Sequence, residues 1–418
     1  MKRIVICMDG TWQTLSQQRP TNISLIARSV AHTSHDGISQ IVIYEPGVGS
    51  SLDALKDNRS ALVAFNKTLT STIGGIFGDG LEDSILDTYL HLAFNYEAGD
   101  EIYIFGFSRG AFSARSLAGL IEKSGIVSRR FAASAGEAFD LYRDETVTPD
   151  SLEAVAFRKK HGKREGSGVQ RHSADHRPLV KYLGIFDTVG QRGVPLAIWP
   201  FSQMRNARYA FHDLKLSARV QSARHALAID EHRRAFPPTP WTNFAELNKP
   251  ARAEGKPDPY QQRWFAGGHG DVGGGNPTNL SSIPLEWIAE GAALAGLDFD
   301  RTADSPLTLS LTPEYLDPSQ GVTARGFAAM LFNPVNWPGR WRTIATPGDT
   351  IDRSVCESTL HKSVAMRSIM HTDRPYAPPP LKPYKSALKE MVAGPALMYA
   401  LVALVQSPPK RKKFLGLF

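Results

Sequence analysis

The segment that decides the fold is GDEIYIFGFSRGAFSAR, residues Gly99–Arg115. Its first half, Glu101–Phe107, is apolar almost throughout, which predicts a strand covered on both faces. Its second half opens the small-residue stretch Arg109–Ser124, which predicts a helix that packs closely on the sheet and ends at Gly125. The joint between them, Gly106-Phe107-Ser108-Arg109-Gly110, has the Gly-x-Ser-x-Gly spacing of a nucleophile elbow. The segment therefore predicts a strand, a sharp turn on a serine, and a helix.

The serine of such a turn is exposed at the carboxyl edge of the sheet, so Ser108 is the candidate nucleophile. The two flanking glycines are expected because strand and helix backbones crowd any side chain at those positions. The Arg109 amide lies at the helix start, where unpaired N–H groups and the helix dipole favour negative charge. An amide from the loop after the first strand, at Gly10 or Thr11, would complete an oxyanion hole with it.

Short apolar runs alternate with helical patterns along the first two-thirds of the chain. This pattern predicts an α/β fold of α/β-hydrolase type, with a mainly parallel central sheet, helices on both faces, and loop and helix insertions. Besides the segment above, strands are predicted at Arg3–Met8, Ile41–Tyr44, Val180–Phe186 and Arg263–Ala266, and helices at Glu82–Tyr96 and Leu216–Arg234.

A nucleophilic serine needs a base, and the base needs a third group to orient it. His269 is the candidate base, because it follows a predicted strand in the glycine-rich run GGHGDVGGG. Three aspartates are candidates for the third role. Asp187 ends a predicted strand and gives the chain order Ser–Asp–His of α/β-hydrolases, Asp230 lies in the predicted helix before His269, and Asp271 is two residues beyond it. Asp187 is preferred, and the other two stay open.

Composition is that of an ordinary globular enzyme: 418 residues, 42% hydrophobic and 21% charged. Cys7 and Cys356 are the only cysteines, so neither a disulfide framework nor a multi-cysteine zinc site is expected. The N-terminal apolar run is too short for a signal peptide, which favours a cytoplasmic location, although export by machinery that reads no such signal stays open.

The formal net charge is +7, and much of the excess lies in Arg158–Arg177 and Lys410–Lys413. An apolar stretch, Met391–Val405, precedes the second basic run and is too short to span a bilayer. It is interpreted as a helix packed on the domain or on a partner, or alternatively as an interfacial anchor. Both runs are interpreted as a solvated loop and tail, or alternatively as a peripheral contact with an anionic membrane. Nucleic acid is not expected as a partner, because no aromatic residues interleave the charges. The oligomeric state is not indicated.

These features predict a catalytic domain over residues 1–385, with a basic loop insertion at about 157–178. The Pro-rich stretch Pro375–Pro383 is expected to close this domain. Residues 386–418 are then an apolar and basic tail.

Several long motifs occur in a fixed order along the chain: DGTW (Asp9–Trp12), YEPGVGS (Tyr44–Ser50), GGIFGDGLE (Gly74–Glu82), the elbow segment, LGIFDTVG (Leu183–Gly190), HALAIDEHRRAFPPTPW (His225–Trp241), RWFAGGHGDVGGG (Arg263–Gly275) and SSIPLEWI (Ser281–Ile288). Together they resemble the Tle-like catalytic domain of type VI secretion phospholipase effectors. The resemblance implies an α/β-hydrolase fold and a Ser–Asp–His triad that cleaves carboxylic esters of phospholipids. Matched position by position, the triad would be Ser108, Asp187 and His269.

The function expected is therefore a serine hydrolase that acts on phospholipid or other lipid acyl esters through an acyl-enzyme, without a cofactor. Two alternatives stay open. One is a metal-dependent hydrolase that uses Asp9, His269 and Asp271. The other is a non-catalytic scaffold with the same fold.

Overall fold

The structure is a computed structural model, and it describes residues 1–10, 13, 15, 17–47, 79–162, 177–189, 215–233, 236–276, 278–311, 341–344, 351–370 and 376–392. Within these residues six strands form one sheet, and every neighbouring pair is parallel. The strands are β1 (Arg3–Met8), β2 (Gln40–Glu45), β3 (Glu101–Phe107), β4 (Val180–Phe186), β5 (Ala223–Ala228) and β6 (Tyr260–Phe265). Their order is β2-β1-β3-β4-β5-β6, so the predicted α/β fold with a parallel sheet is confirmed.

The helices lie between and after the strands. In chain order they are α1 (Asn22–Ser29), α2 (Asp79–Asn95), α3 (Arg109–Ser124), α4 (Ala135–Arg143), α5 (Leu152–His161), α6 (Phe244–Leu247), α7 (Lys249–Ala253), α8 (His269–Gly273), α9 (Ser282–Leu294), α10 (Pro306–Ser310), α11 (Arg353–Thr359), α12 (Lys362–Met370) and α13 (Lys385–Val392). Short 3₁₀ segments occupy Arg129–Ser134, Asn279–Ser281 and Pro379–Tyr384.

Helices cover both faces of the sheet, which explains why its strands are apolar without alternation. In β1, Ile4 and Ile6 pack in the same core as helices α2, α3 and α4. Val5 and Cys7, which point the other way, pack in the same core as α1 and α9. A third apolar cluster joins β5 and β6 to helices α11, α12 and α13.

All six strands end at one edge of the sheet because they are parallel. The residues that follow β1, β3, β4, β5 and β6 therefore meet there, and they include most of the candidate site residues. In α/β sheets, ligands bind outside this carboxyl edge.

The helix predicted at Leu216–Arg234 is wrong: its centre is strand β5. The segment is rich in alanine, leucine and arginine, which favour helix when considered locally. All six residues of β5 are buried between β4 and β6, however, and this tertiary environment overrides the local preference. Asp230 consequently follows a strand rather than lying in a helix.

The first part of the predicted basic loop is helical. Arg158 lies in the last turns of α5, is buried, and donates a hydrogen bond from Nη1 to the Lys123 carbonyl oxygen at 2.5 Å. Cations are favourable near a helix carboxyl end, so this part of the run is structural. Residues 163–176 lie outside the described residues.

Packing continues past the Pro-rich stretch. In α13, Leu388 and Met391 are buried in the same cluster as Leu381 and Tyr384, beyond the predicted boundary between 385 and 386. Residues 393–418, with most of the apolar and basic tail, lie outside the described residues. No helix in the described ranges is long and apolar enough to cross a membrane.

Candidate active site

Ser108 occupies the sharp turn between β3 and α3. Its φ and ψ are 59° and −119°, and its backbone N–H donates to the Phe186 carbonyl oxygen at 3.1 Å. Ser108 and Asp187 are the two non-glycine residues with positive φ in the described part of the chain. Such strained backbone persists where the surrounding structure holds it, and it concentrates at functional sites.

The two elbow glycines are required by close backbone contacts. A Cβ at Gly106 would lie 2.5 Å from the Gly110 carbonyl oxygen, and a Cβ at Gly110 would lie 2.2 Å from that of Met8. Helix α3 thus starts in direct contact with the end of β1. This contact holds the turn at Ser108 in place.

Gly110→Ala is therefore expected to lower the free energy of unfolding by about 3 kcal/mol, because the clashing backbone oxygen cannot rotate away. Gly136→Ala is the matched control. Gly136 lies in helix α4, and apart from its chain neighbours and its own helix backbone no atom of the described residues lies within 4 Å of an added Cβ, so alanine there should be neutral or stabilising. Denaturant unfolding of both variants measures the difference. Equal stabilities would contradict the close packing of the elbow.

The structure brings Ser108, His269 and Asp187 together. His269 is the first residue of α8, just beyond β6, and its Nε2 lies 2.8 Å from the Ser108 Oγ. Its Nδ1 lies 2.6 Å from Oδ2 of Asp187, which directly follows β4. A continuous hydrogen-bond chain thus runs from carboxylate to imidazole to hydroxyl. This arrangement can deprotonate the hydroxyl as it attacks a carbon atom.

The environment of His269 favours its neutral form. The ring contacts those of Phe107 and Phe236, with centroid separations of 4.7 and 4.8 Å. Burial lowers the pKa of His269, while the hydrogen bond to Asp187 opposes that shift. The imidazole is accordingly uncharged near pH 7 and can accept a proton.

The carboxylate of Asp187 is fully buried and bound on both oxygens. Burial alone would raise its pKa, but the charge of Arg342 and the hydrogen bond from His269 outweigh it, so the pKa lies well below the ordinary range. Arg342 Nη1 lies 2.5 Å from Oδ1, and Nη2 lies 3.0 Å from Oδ2. Oδ1 also accepts the Ala228 N–H at 2.9 Å. Asp187 is therefore held ionised, with Oδ2 directed at the imidazole.

A second buried ion pair supports the backbone of His269. Glu231 accepts the His269 N–H at 3.2 Å and two bonds from the Arg233 guanidinium, at 2.8 and 2.7 Å. Burial would raise the pKa of Glu231, but Arg233 lowers it to about 2. The Arg233 guanidinium lies 3.8 Å from the centroid of the Phe236 ring that stacks on His269. Sequence reasoning missed this pair, although both residues belong to the quoted motif His225–Trp241.

The alternative acids have other partners. Asp230 Oδ2 accepts the Gly267 N–H and the Tyr376 hydroxyl, both at 2.6 Å. Asp271 accepts the Gly268 N–H at 2.9 Å and bonds from two side chains of the following loop, Asn276 at 3.0 Å and Thr278 at 2.7 Å. Both carboxylates order the glycine-rich loop around His269. The Nδ1 atom of His269 is bonded to Asp187 instead.

The loop after β1 lies against the elbow, and the Gly10 amide, one of the predicted oxyanion donors, is bonded to the side chain that precedes it. The amide donates to Oδ1 of Asp9 at 2.7 Å, and Oδ2 of Asp9 accepts the hydroxyls of Thr21 and Tyr44 at 2.6 and 2.8 Å. Burial raises the pKa of Asp9 to about 6 in spite of these bonds, and a buried carboxylate takes the donors within reach. Thr11 lies outside the described residues, so an oxyanion donor there stays a prediction, together with the Arg109 amide at the start of α3.

Asp9, His269 and Asp271, the set of the metal alternative, are each bonded to separate protein groups. Among the residues that the structure describes, no group of three or more His, Cys, Asp or Glu side chains is placed to hold a metal ion. This part of the chain does not support the metal alternative.

The family model for the catalytic domain of Tle1-like phospholipase effectors of the type VI secretion system matches residues 2–291. This match covers more than half of the chain. The chain belongs to the Tle1-like catalytic-domain family. That membership supports hydrolase activity of lipase or esterase type in general terms.

Relatives of this Tle1-like domain include an uncharacterized protein of Saccharomyces cerevisiae, 31% identical over 239 residues. That match covers 56% of this chain and 32% of the yeast protein, so the chain spans about a third of the length of that relative. Two solved structures are also similar, each at 16% identity. An uncharacterized protein from Pseudomonas aeruginosa has a TM-score of 0.35, and the match covers 77% of this chain and 47% of the chain of that protein. A Tle1 effector bound to the VgrG spike has a TM-score of 0.34, and the match covers 66% of this chain and 52% of the effector chain.

The Tle1-like match contains Ser108, Asp187 and His269 but ends before Arg342. Sequence reasoning missed this arginine, which stands in the run WPGRWRTI without a recognisable motif. No signal in the chain could have assigned it to Asp187, because the two residues are 155 positions apart.

Proposed function

We propose that this Tle1-like domain is a serine esterase that cleaves carboxylic esters of phospholipids or other lipids. The observation that carries the proposal is the hydrogen-bond chain from Asp187 through His269 to Ser108, with heavy-atom distances of 2.6 and 2.8 Å. It lies at the carboxyl edge of the sheet, on a strained elbow and within the matched family domain. The family is described as one of phospholipase effectors, which supports lipid esters as the substrate class.

The reaction follows from the positions of the three groups. Ser108 Oγ attacks the carbonyl carbon of the ester while its proton passes to His269 Nε2, and the carbonyl oxygen takes the negative charge. The imidazolium then gives that proton to the alkoxy oxygen as the carbon–oxygen bond breaks, which releases an alcohol and leaves an acyl-enzyme. Water repeats the sequence with His269 as base, so a carboxylic acid leaves and Ser108 regains its proton.

Asp187 orients the imidazole and stabilises its charged form during both steps, without itself taking the proton. The low pKa of its carboxyl keeps it ionised throughout. The developing oxyanion would be bound by the Arg109 amide at the start of α3 and by a donor of the loop after β1.

A substrate panel tests this function: soluble p-nitrophenyl esters, diacyl phospholipid vesicles, vesicles of the matching diether lipids, and bis-p-nitrophenyl phosphate. We expect release of p-nitrophenol and free fatty acid from the carboxylic esters, none from the ether lipids or the phosphodiester, and full activity in EDTA. Colorimetric assay and mass spectrometry of the products measure these outcomes.

Each other outcome contradicts the proposal in a distinct way. Release of a phosphorylated headgroup would assign cleavage at phosphorus. Activity that is lost in EDTA and restored by a divalent metal would favour the metal alternative. A folded protein that turns over no member of the panel would favour the non-catalytic scaffold.

A further inference from the structure

Arg342 is buried against the carboxylate of Asp187. The exposed fraction of its side chain is 2%, and that of Asp187 is 0%. Its two terminal nitrogens bind the two carboxylate oxygens and also donate to two backbone carbonyls, Ala228 at 2.9 Å and Phe236 at 3.0 Å. The guanidinium is thus fixed by both the acid and the backbone beside it. Bidentate arginine–carboxylate pairs give geometric specificity as well as attraction.

This contact has two consequences for Asp187. A buried carboxylate without a partner tends to take up a proton, and an adjacent guanidinium opposes this. The fork also leaves one orientation for the carboxylate, in which Oδ2 meets His269 Nδ1 at 2.6 Å. Without the fork, the Ala228 N–H would still bind Oδ1, but rotation about the side-chain bonds would be less restricted and would misalign the hydrogen bond that orients the base.

The other charged and titratable groups around the Asp187–His269 pair are largely balanced. Those near His269 are Ser108 from the elbow, Glu231 and Arg233 after β5, and Asp271 on the same short helix; His225 within β5 lies near Asp187. Glu231 and Arg233 pair with each other, and burial keeps His225 neutral by lowering its pKa to about 3. Asp271 is bound by three donors of its own loop. The Arg342 charge therefore bears directly on proton uptake by the Asp187–His269 pair.

We propose that Arg342 is a positioning residue of the active site, which orients Asp187 and sets the pH at which the Asp187–His269 pair takes up a proton. The inference rests on the proposed function for its kinetic consequences. A neighbouring cation disfavours proton uptake, so its removal makes uptake easier and moves the midpoint to higher pH. The guanidinium fork acts on orientation, which a lysine cannot reproduce at a bidentate site.

The test compares Arg342→Gln, Arg342→Lys and the wild type by kcat/KM for a p-nitrophenyl ester across pH. The acid limb of this profile is the range in which kcat/KM falls as the pH decreases. In the wild type it should lie below pH 6.5, because burial lowers the pKa of His269 and activity falls as the imidazole is protonated. Arg342→Gln should move this limb upward by about one to three pH units. Arg342→Lys should keep the limb near its wild-type position but lower kcat about tenfold or more, because the carboxylate is less well oriented.

The control is Arg224→Gln, which removes another buried arginine that pairs with Glu290 and donates to the Trp287 carbonyl. It should leave the acid limb in place. A limb in Arg342→Gln that coincides with the wild type, or an equal shift in Arg224→Gln, would overturn the inference. If Arg342→Gln does not fold, Arg342→Lys decides: wild-type kcat in that variant would refute a positioning role.

A second readout separates this inference from the proposed function. The His269 ring can be titrated by NMR on ¹⁵N-histidine protein, with its signal assigned from the spectrum of His269→Gln. A higher midpoint in Arg342→Gln supports the inference even if the wild type cleaves no ester, whereas that lack of turnover would contradict the proposed function alone. An unchanged midpoint refutes the inference in either case.

Discussion

Ser108→Ala is expected to lower ester turnover by about a million-fold and to abolish labelling by a fluorophosphonate probe. The probe reacts with a hydroxyl that a base activates, and Ser108 Oγ lies 2.8 Å from His269 Nε2. Loss of the nucleophile removes the acyl-enzyme route altogether, which is why the effect exceeds that of any positioning residue. Gel fluorescence and steady-state kinetics measure the two losses.

Ser113→Ala is the matched control in the same helix. Among the residues that the structure describes, the buried Ser113 hydroxyl has no hydrogen-bond partner, so its removal should be neutral or slightly stabilising. This variant should keep wild-type labelling and turnover. Equal labelling of Ser108→Ala and the wild type would refute the serine mechanism.

Asp187→Asn is expected to lower kcat by about 10⁴-fold, the second-largest effect. Both oxygens of Asp187 accept from N–H donors, so the amide nitrogen of asparagine would face a donor in either orientation. In one orientation the amide would present an N–H to His269 Nδ1 and stabilise the wrong tautomer of the imidazole. In the other orientation it would face the Arg342 guanidinium and repel it. Circular dichroism should be used to check that the variant is folded, because the change also leaves the buried Arg342 with a weaker partner.

Asp230→Asn separates the candidate acids. Its carboxylate accepts from Gly267 N–H and from the Tyr376 hydroxyl, and an amide oxygen can keep one of these bonds. We expect kcat to fall by less than about tenfold, because the change weakens the bonds that order the glycine-rich loop and leaves the hydrogen bond between Asp187 and His269 in place. A loss in Asp230→Asn as large as that in Asp187→Asn would contradict Asp187 as the orienting acid.

The elbow could be predicted from sequence because its determinants are local. A run of apolar β-forming residues, a serine between two glycines, and a small-residue stretch specify strand, turn and helix within Gly99–Ser124. The structure has this unit with the predicted boundaries, β3 over Glu101–Phe107 and α3 over Arg109–Ser124. Candidate partners followed from one rule, that polar residues just after parallel strands meet at one edge.

The prediction for β5 failed for the opposite reason. Its residues, ARHALA, have no β-branched side chain, and their small size suits a strand only because β4 and β6 enclose them. That environment is assembled from segments far away along the chain. Local composition therefore favoured a helix.

The sequence alone determined the family, the parallel α/β architecture and a short set of candidate side chains, because motifs and local backbone preferences are properties of neighbouring residues. Tertiary structure alone decided which of the three candidate aspartates meets His269, and that Arg342 binds Asp187. These contacts depend on the order of strands in the sheet and on which buried donor reaches which acceptor. Asp187 lies 82 positions from His269 and 155 positions from Arg342, and residues so far apart carry no mutual signal in a single sequence.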